Sequence, residues 1–182
     1  MTVVLFVCTG NLCRSPSAEG FLTQRLSEFG PSDVTVESAG TMGTTSAAPP
    51  ELLREAATYG LDLSIHVPRQ VDADTVARAD MIIGMARAHV REIAVANPSS
   101  FTRAFTLREI VRCGTQKGRR GQLQPVDEWL GEIGIGRRHQ GLLGESLMDD
   151  IPDPMGGTSK DYRKMLMEVA TLTGALHSLA WR

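Results

Sequence analysis

Val3-Val4-Leu5-Phe6-Val7 is apolar at every position and runs into Cys8 and a Gly-Asn turn signal. A run that short, without polar alternation and rich in β-branched residues, suits a strand buried on both faces, as inner strands of helix-covered parallel sheets are. Ser15 is expected to cap the next element, with Pro16 at the first helical position. Ala18, Phe21, Leu22, Leu26 and Phe29 follow at helical spacing, and Gly30-Pro31 ends the pattern. The chain thus opens on a strand–loop–helix joint. The texture then repeats: a strand over 34–38, helices over 50–59 and 71–79, a strand over 81–85, a helix over 86–96, a strand over 101–107. Such alternation predicts an α/β sandwich around a parallel sheet, with ligands at the C-terminal strand ends where strand order reverses.

The segment 114–147 differs, holding 8 of the 18 glycines with little periodicity. It reads as a Gly-rich insertion, mobile except where Val126, Trp129, Leu130 and Ile133 form a short amphipathic helix. Tyr162, Met165, Leu166, Val169, Leu172, Leu176 and Leu179 mark a long closing helix, with Met165 and Met167 expected to fill core gaps. At 182 residues and 42% hydrophobic, the chain is most simply one domain, 1–182. Its formal net charge of -2 favours neither nucleic acid nor a membrane surface as partner. Arg119-Arg120 and Arg137-Arg138 read as solvated loop charges. Three cysteines do not make a disulfide scaffold. With no apolar window long enough for a membrane span and no basic leader, a cytoplasmic location with reduced thiols is expected.

The chemistry concentrates in Cys8-Thr9-Gly10-Asn11-Leu12-Cys13-Arg14-Ser15. A loop of this length between strand and helix can turn its N–H groups toward one point, strengthened by the helix N-terminus, and so hold an anion. Gly10 permits close backbone approach. Arg14 supplies a planar fork for two phosphate oxygens. A cysteine on the floor of that cradle sits in the same field, and the thiolate is the nucleophilic form. Cys13 reads as a small buried hydrophobe, with a reversible Cys8–Cys13 disulfide as the functional alternative. A nucleotide-binding P-loop would need Gly-Lys-Ser/Thr, which this sequence lacks. Phosphoryl transfer also needs an acid for the leaving oxygen. "DDIPDPMGG" offers Asp149, Asp150 and Asp153, the last held extended by Pro154.

These motifs, with "ESAGT" and the late Asp-Pro, resemble the low-molecular-weight protein tyrosine phosphatases of bacterial type. The resemblance implies a three-layer sandwich with a four-stranded parallel sheet, and a two-step mechanism without metal or cofactor. Cys8 would be the nucleophile, forming a phosphocysteine. Arg14 and the N–H groups of Thr9, Gly10, Asn11, Leu12 and Cys13 would hold phosphate oxygens, and Asp153 would be the general acid and base. Asn11, Ser15, Ser38 and His66 would form the supporting hydrogen-bond network, His66 being otherwise a polar residue near a turn. Leu12, Met42 and Met155 would line the cleft. Met155 and Met42 stand where family members often carry aromatic residues, and Trp129 is a candidate to restore an aromatic wall.

Phosphorylated proteins are the implied partners, with inorganic phosphate and similar oxyanions as competitive ligands. Leu12 favours phosphotyrosine. "DPMGGTS" is similar to the protein-arginine phosphatase branch, the alternative reading. An arsenate reductase or a phosphoprotein-binding module with a silent site are further readings. The first lacks relay cysteines, and the second sits poorly with an intact Cys8, Arg14 and Asp153.

Overall fold

The computed structural model describes all 182 residues. Four parallel strands, β1 (Thr2–Cys8), β2 (Val34–Gly40), β3 (Met81–Gly84) and β4 (Ala104–Thr106), lie in the order β2-β1-β3-β4. The helices are α1 (Arg14–Phe29), α2 (Pro50–Ala57), α3 (Ala73–Arg78), α4 (Arg87–Ala96), α5 (Leu107–Lys117), α6 (Val126–Ile133) and α7 (Ser159–Ala180). Residues 4 to 7 of β1 are completely buried, as an unbroken apolar run requires. Val4, Phe6 and Cys8 join the core under α1, α2, α5, α6 and α7, while Leu5 and Val7 join the opposite core under α3 and α4. The expected three-layer α/β sandwich is therefore present. After β1 the chain turns to β2 on one side and later to β3 on the other, so the end of β1 is the switch point of the sheet.

The start of α1 departs from expectation. The helix begins at Arg14 with Cys13 before it, and Ser15 lies in the first turn rather than at the cap. The Ser15 hydroxyl is engaged by the loop, and Ser17 Oγ instead donates to the Cys13 carbonyl at 2.7 Å. Pro16 still fits, because first-turn N–H groups have no helical acceptor. The strand expected over 101–107 shrinks to Ala104–Thr106: Pro98–Arg103 is a 3-10 turn and Leu107 already belongs to α5. Thr106 and Glu109 form a reciprocal capping box, with the Glu109 N–H donating to Thr106 Oγ1 at 3.1 Å and the Thr106 N–H to Glu109 Oε2 at 3.2 Å.

The 114–147 segment therefore starts inside a helix. A Cβ on Gly114 would lie 3.2 Å from the Trp129 ring and 3.0 Å from Leu179, so the glycine lets α5 press against both. Val126, Trp129, Leu130 and Ile133 are all buried, and Trp129 Nε1 donates to the Gly118 carbonyl at 3.1 Å. The remainder is tethered as well. Arg137 is no solvated charge: its guanidinium lies 3.7 Å over the Phe105 ring and donates to Glu109 at 2.8 Å. Arg120 donates to the Ala180 carbonyl at 2.6 Å. Met165 fills the core as expected, but Met167 points outward. Truncating Trp129 to Ala will lower unfolding free energy by about 3–5 kcal/mol, because the cavity cannot collapse around a ring packed by three helices. Urea midpoints at constant m-value measure this. A loss below about 1 kcal/mol would make the segment peripheral to the core.

Candidate active site

β1 delivers Cys8 to the sheet's C-terminal edge, where the thiol is almost wholly buried. The loop that follows is shaped by Asn11, the only non-glycine residue with positive φ, at +53°. Asparagine tolerates the left-handed region better than most residues, and here every polar group of Asn11 is engaged. Its Nδ2 donates to Ser15 Oγ at 3.0 Å and to Ser38 Oγ at 2.8 Å. Its Oδ1 accepts from the Arg69 N–H at 3.0 Å, and its carbonyl lies 2.8 Å from His66 Nε2. Its own N–H points at Cys8 Sγ, 3.2 Å away, and Ser15 Oγ donates to the same sulfur at 3.0 Å. Ser38 Oγ donates onward to Glu19 Oε2 at 2.6 Å.

The directions of these bonds follow from the anchor. Ser38 gives its proton to the Glu19 carboxylate, so it can only accept from Asn11. Ser15 accepts from the other Asn11 proton, so its own hydroxyl proton is free to face sulfur. The expected set of Asn11, Ser15, Ser38 and His66 is thus brought together. Glu19 and Arg69 complete it without having been singled out from sequence, where both look like ordinary charged residues. Arg69 also donates through Nε to the Ser38 carbonyl at 2.7 Å and pairs with Glu37 at 3.0 Å. Gly40 closes β2 against the loop: a Cβ there would lie 2.6 Å from the Thr9 carbonyl oxygen and 2.9 Å from the Asn11 nitrogen. The Thr41 and Met42 N–H groups then donate to the Cys8 and Thr9 carbonyls, both at 2.9 Å.

With the loop held this way, the N–H groups of Gly10, Leu12, Cys13 and Arg14 donate to no acceptor in the protein. Leu12, Cys13 and Arg14 are buried residues. Free donors in such a setting call for an anionic partner. The Arg14 guanidinium lies against the same loop, with Nη1 donating to the Ile151 carbonyl at 3.3 Å and Nη2 to Thr9 Oγ1 at 3.4 Å. Nη2 also pairs with Asp153, whose side chain is 42% exposed. Asp153 Oδ1 accepts from the Met155 N–H at 3.2 Å, in a turn that Gly156 completes at φ +75°.

The other two candidate acids are used as anchors. Asp150 accepts from the N–H groups of Arg87 and Ser146, both at 2.7 Å. Asp149 is buried between Arg87 and Arg112, at 2.6 and 2.5 Å. Burial pushes its carboxyl up, but hydrogen bonds from Arg112 and Arg87 outweigh that and hold it below the usual carboxylate range. Cys13 is a packed thiol whose Sγ lies 3.4 Å from Met155 Sδ. Burial first, then the charges of Asp153 and Cys8, push it up to about 12. Met42 and Met155 are exposed beside the loop, and Leu12 is buried within it. Trp129 contributes no wall: its ring is only 1% exposed and packs against α5, where Gly114 leaves room for it. No group of three or more His, Cys, Asp or Glu side chains is disposed to hold a metal ion.

Sequence reasoning also missed His89, which is buried in α4. Its Nδ1 accepts from the Ala86 N–H at 3.0 Å, so Nε2 carries the proton and donates to Thr9 Oγ1 at 3.0 Å. The Thr9 hydroxyl therefore accepts from both His89 and Arg14. A histidine three residues into a helix reads from sequence as an ordinary cap. Only the fold shows it facing the loop after β1.

A buried cysteine at a sheet switch point, beneath free N–H donors and an arginine, defines a small cysteine-dependent α/β hydrolase of anionic substrates. The family model for low molecular weight phosphotyrosine protein phosphatases matches residues 3–120, and the chain belongs to that family. A probable low molecular weight protein-tyrosine-phosphatase, EpsP of Ralstonia solanacearum, is 36% identical over 132 residues, covering 71% of this chain and 87% of that one. The low molecular weight protein tyrosine phosphatase of T. tengcongensis superposes with a TM-score of 0.72 at 27% identity, covering 98% of this chain and 99% of that one. The YwlE arginine phosphatase of Geobacillus stearothermophilus gives 0.71 at 25% identity, covering 98% and 92%. The protein is accordingly a phosphatase of phosphorylated proteins. No helix is long and apolar enough to cross a membrane.

Burial and then the Arg14 charge hold His89 down to about 4, against an ordinary 6.5. Between those values the unfolded chain binds a proton that the folded protein refuses. The stability held by the neutral ring is complete above about pH 6.5 and is withdrawn as pH falls through 4, by on the order of 3 kcal/mol. His89→Gln will flatten that part of the stability–pH curve, measured by urea unfolding. An unchanged slope would show that another group titrates there.

Proposed function

We propose that the protein hydrolyses phosphotyrosine in proteins through a phosphocysteine on Cys8. The unpartnered N–H groups of the loop that follows the buried Cys8 thiol carry this reading. The Cys8 thiolate attacks phosphorus as the bond to the tyrosyl oxygen breaks, and Asp153 gives its proton to that oxygen. Arg14 and the loop N–H groups hold the three peripheral oxygens, whose charge grows where fixed donors already point. Asp153, now a carboxylate, takes a proton from water. The resulting hydroxide displaces the Cys8 thiolate, releasing hydrogen phosphate. The donors from Asn11 and Ser15 stabilise the sulfur as nucleophile and as leaving group. Inorganic phosphate and similar oxyanions would compete for the same donors.

Leu12, apolar and within the loop, supports an aryl ester as substrate, with Met42 and Met155 as its rim. A second reading, phosphoarginine, is favoured by Asp153-Pro154-Met155-Gly156-Gly157 and by the likeness to an arginine phosphatase. The whole chain would serve as one phosphatase domain working in the cytoplasm. Paired turnover of a phosphotyrosine and a phosphoarginine peptide, without added metal, tests the substrate. A preference for phosphoarginine would overturn the first reading and keep the chemistry. Cys8→Ser will abolish turnover on either peptide while retaining phosphate binding. Asp153→Asn will lower kcat by about 10²–10⁴ for a leaving group as poor as a tyrosyl oxygen. A negligible loss would remove Asp153 from the mechanism.

A further inference from the structure

Beside the anchored start of the acid loop lies a cavity of about 450 Å³, lined by four arginines and two carboxylates: Arg87, Arg112, Arg137, Arg138, Glu109 and Asp149. A surplus of two positive charges is thus gathered in one place, on a chain whose formal net charge is -2. Arg137 is fully occupied. It donates to Glu109 and to the Phe101 and Ala104 carbonyls while covering the Phe105 ring. The other three are not. Asp149 takes Nε and Nη2 of Arg87 and Nη1 of Arg112. That leaves Nη1 of Arg87, the Nε and Nη2 edge of Arg112, and the whole Arg138 guanidinium without an acceptor in the protein.

The guanidinium groups of Arg87 and Arg112 are held in place, and the backbone that carries the exposed Arg138 is pinned. Asp149 locks the first two arginines from behind. Arg138 sits between residues pinned on both sides, since Arg137 is buried under Glu109 and His139 stacks on Phe101 with ring centroids 3.8 Å apart. Arg91 Nη1 holds the end of that segment through the Leu142 carbonyl at 2.8 Å. Fixed guanidinium forks need little ordering to grip an anion, and their planar edges match phosphate oxygens in pairs.

We propose that this cavity is a second oxyanion site, separate from the Cys8–Arg14 loop, that takes a phosphoryl dianion on Arg87, Arg112 and Arg138. A dianion neutralises the surplus of two, which a single carboxylate does not. The site adjoins the catalytic acid through the chain itself. Asp150 accepts from the Arg87 N–H, the Ile151 N–H donates to the Met85 carbonyl at 2.8 Å, and Asp153 follows. The four steps from Asp149 to Asp153 span at most about 14 Å. A phosphoryl group a few residues from the scissile one on the same substrate could fill the site, and so could a free phosphate ion. The substrate source rests on the proposed function; the anion site does not.

Sulfate titration followed by backbone amide shifts in the full chain separates the two sites. Two saturable sets are expected, one over 8–15 and one over 87, 112 and 136–142. Arg138→Glu will weaken the second set by about tenfold and leave the first unchanged. Arg112→Gln, which keeps a polar side chain but removes the guanidinium, will weaken the same set. Shifts confined to 8–15, or a second set indifferent to both variants, would overturn the site. Peptides carrying one phosphoryl group, or two spaced about four to six residues apart, then identify the source. A kcat/KM advantage of the doubly phosphorylated peptide that Arg138→Glu removes assigns the site to substrate. No such advantage, with sulfate still saturating the second set, assigns it to free phosphate. A failure of the phosphatase reading would show as no turnover of any peptide while both shift sets persist.

Discussion

Asn11 is the residue on which the site's geometry turns. A side chain in the left-handed region is tolerated only where its surroundings repay the strain, and four neighbours do so: Ser15 and Ser38 through Nδ2, Arg69 through Oδ1, and His66 at the carbonyl. The consequence is directional. Holding Asn11 this way turns its N–H toward Cys8 Sγ and orients the Ser15 hydroxyl to the same atom. The N–H groups of Gly10, Leu12, Cys13 and Arg14 are left without an acceptor in the protein. Gly40 belongs to the same constraint, since any side chain there would drive β2 off the loop. The Cys8 sulfur, its donors and the shape of the loop are therefore set by one buried amide rather than assembled independently.

Much of this was legible in the sequence because it is local. Cys8, Gly10, Asn11, Arg14 and Ser15 lie within one strand–loop–helix joint, where spacing alone confines the geometry. The apolar run before them fixed the depth at which the thiol sits. What escaped depends on contacts distant in sequence. Glu19 orients Ser38, Arg69 reaches Asn11 Oδ1, and His89 meets Thr9 from 80 residues away. None has a composition or period that marks it. Ser15 was misread for the complementary reason: its type and position fit a helix cap, but the sulfur and Asn11 compete for the same hydroxyl and win. The helix Leu107–Lys117 was obscured by a β-rich approach, although Thr106 and Glu109 spelled its capping box. Arg137 was read as a solvated loop charge because a Gly-rich texture hides which side chains the core will capture, whereas Trp129 was placed on its helix and only its expected role as a cleft wall is lost to burial.

Asp153 is tethered differently from Cys8. Cys8 is fixed by a hydrogen-bond network inside the loop, whereas Asp153 reaches the site on a segment stitched to four elements. The Ile151 N–H joins it to the end of β3, the Ile151 carbonyl to Arg14, and Asp149 and Asp150 to α4 and α5. Arg14 therefore touches both the loop after β1, through Thr9, and the segment that carries Asp153, through the Ile151 carbonyl and Asp153 itself. A lysine could not take its place, because a single ammonium has no planar fork to divide among these partners.

The methionines at the rim carry a consequence for selectivity. Met42 and Met155 are 62% and 50% exposed and flank an apolar Leu12. Thioether side chains adapt to a ring or an extended guanidinium alike, with softer preferences than an aromatic wall imposes. Under the proposed function the phosphoryl group, which every phosphorylated substrate shares, supplies most of the binding at the cleft, and the rim adds only a soft preference to that of Leu12. Selection of one phosphoprotein over another must be made by surfaces outside the cleft. The proposed second anion site at the root of the acid loop would be one such surface, gripping a phosphoryl dianion without touching the sulfur.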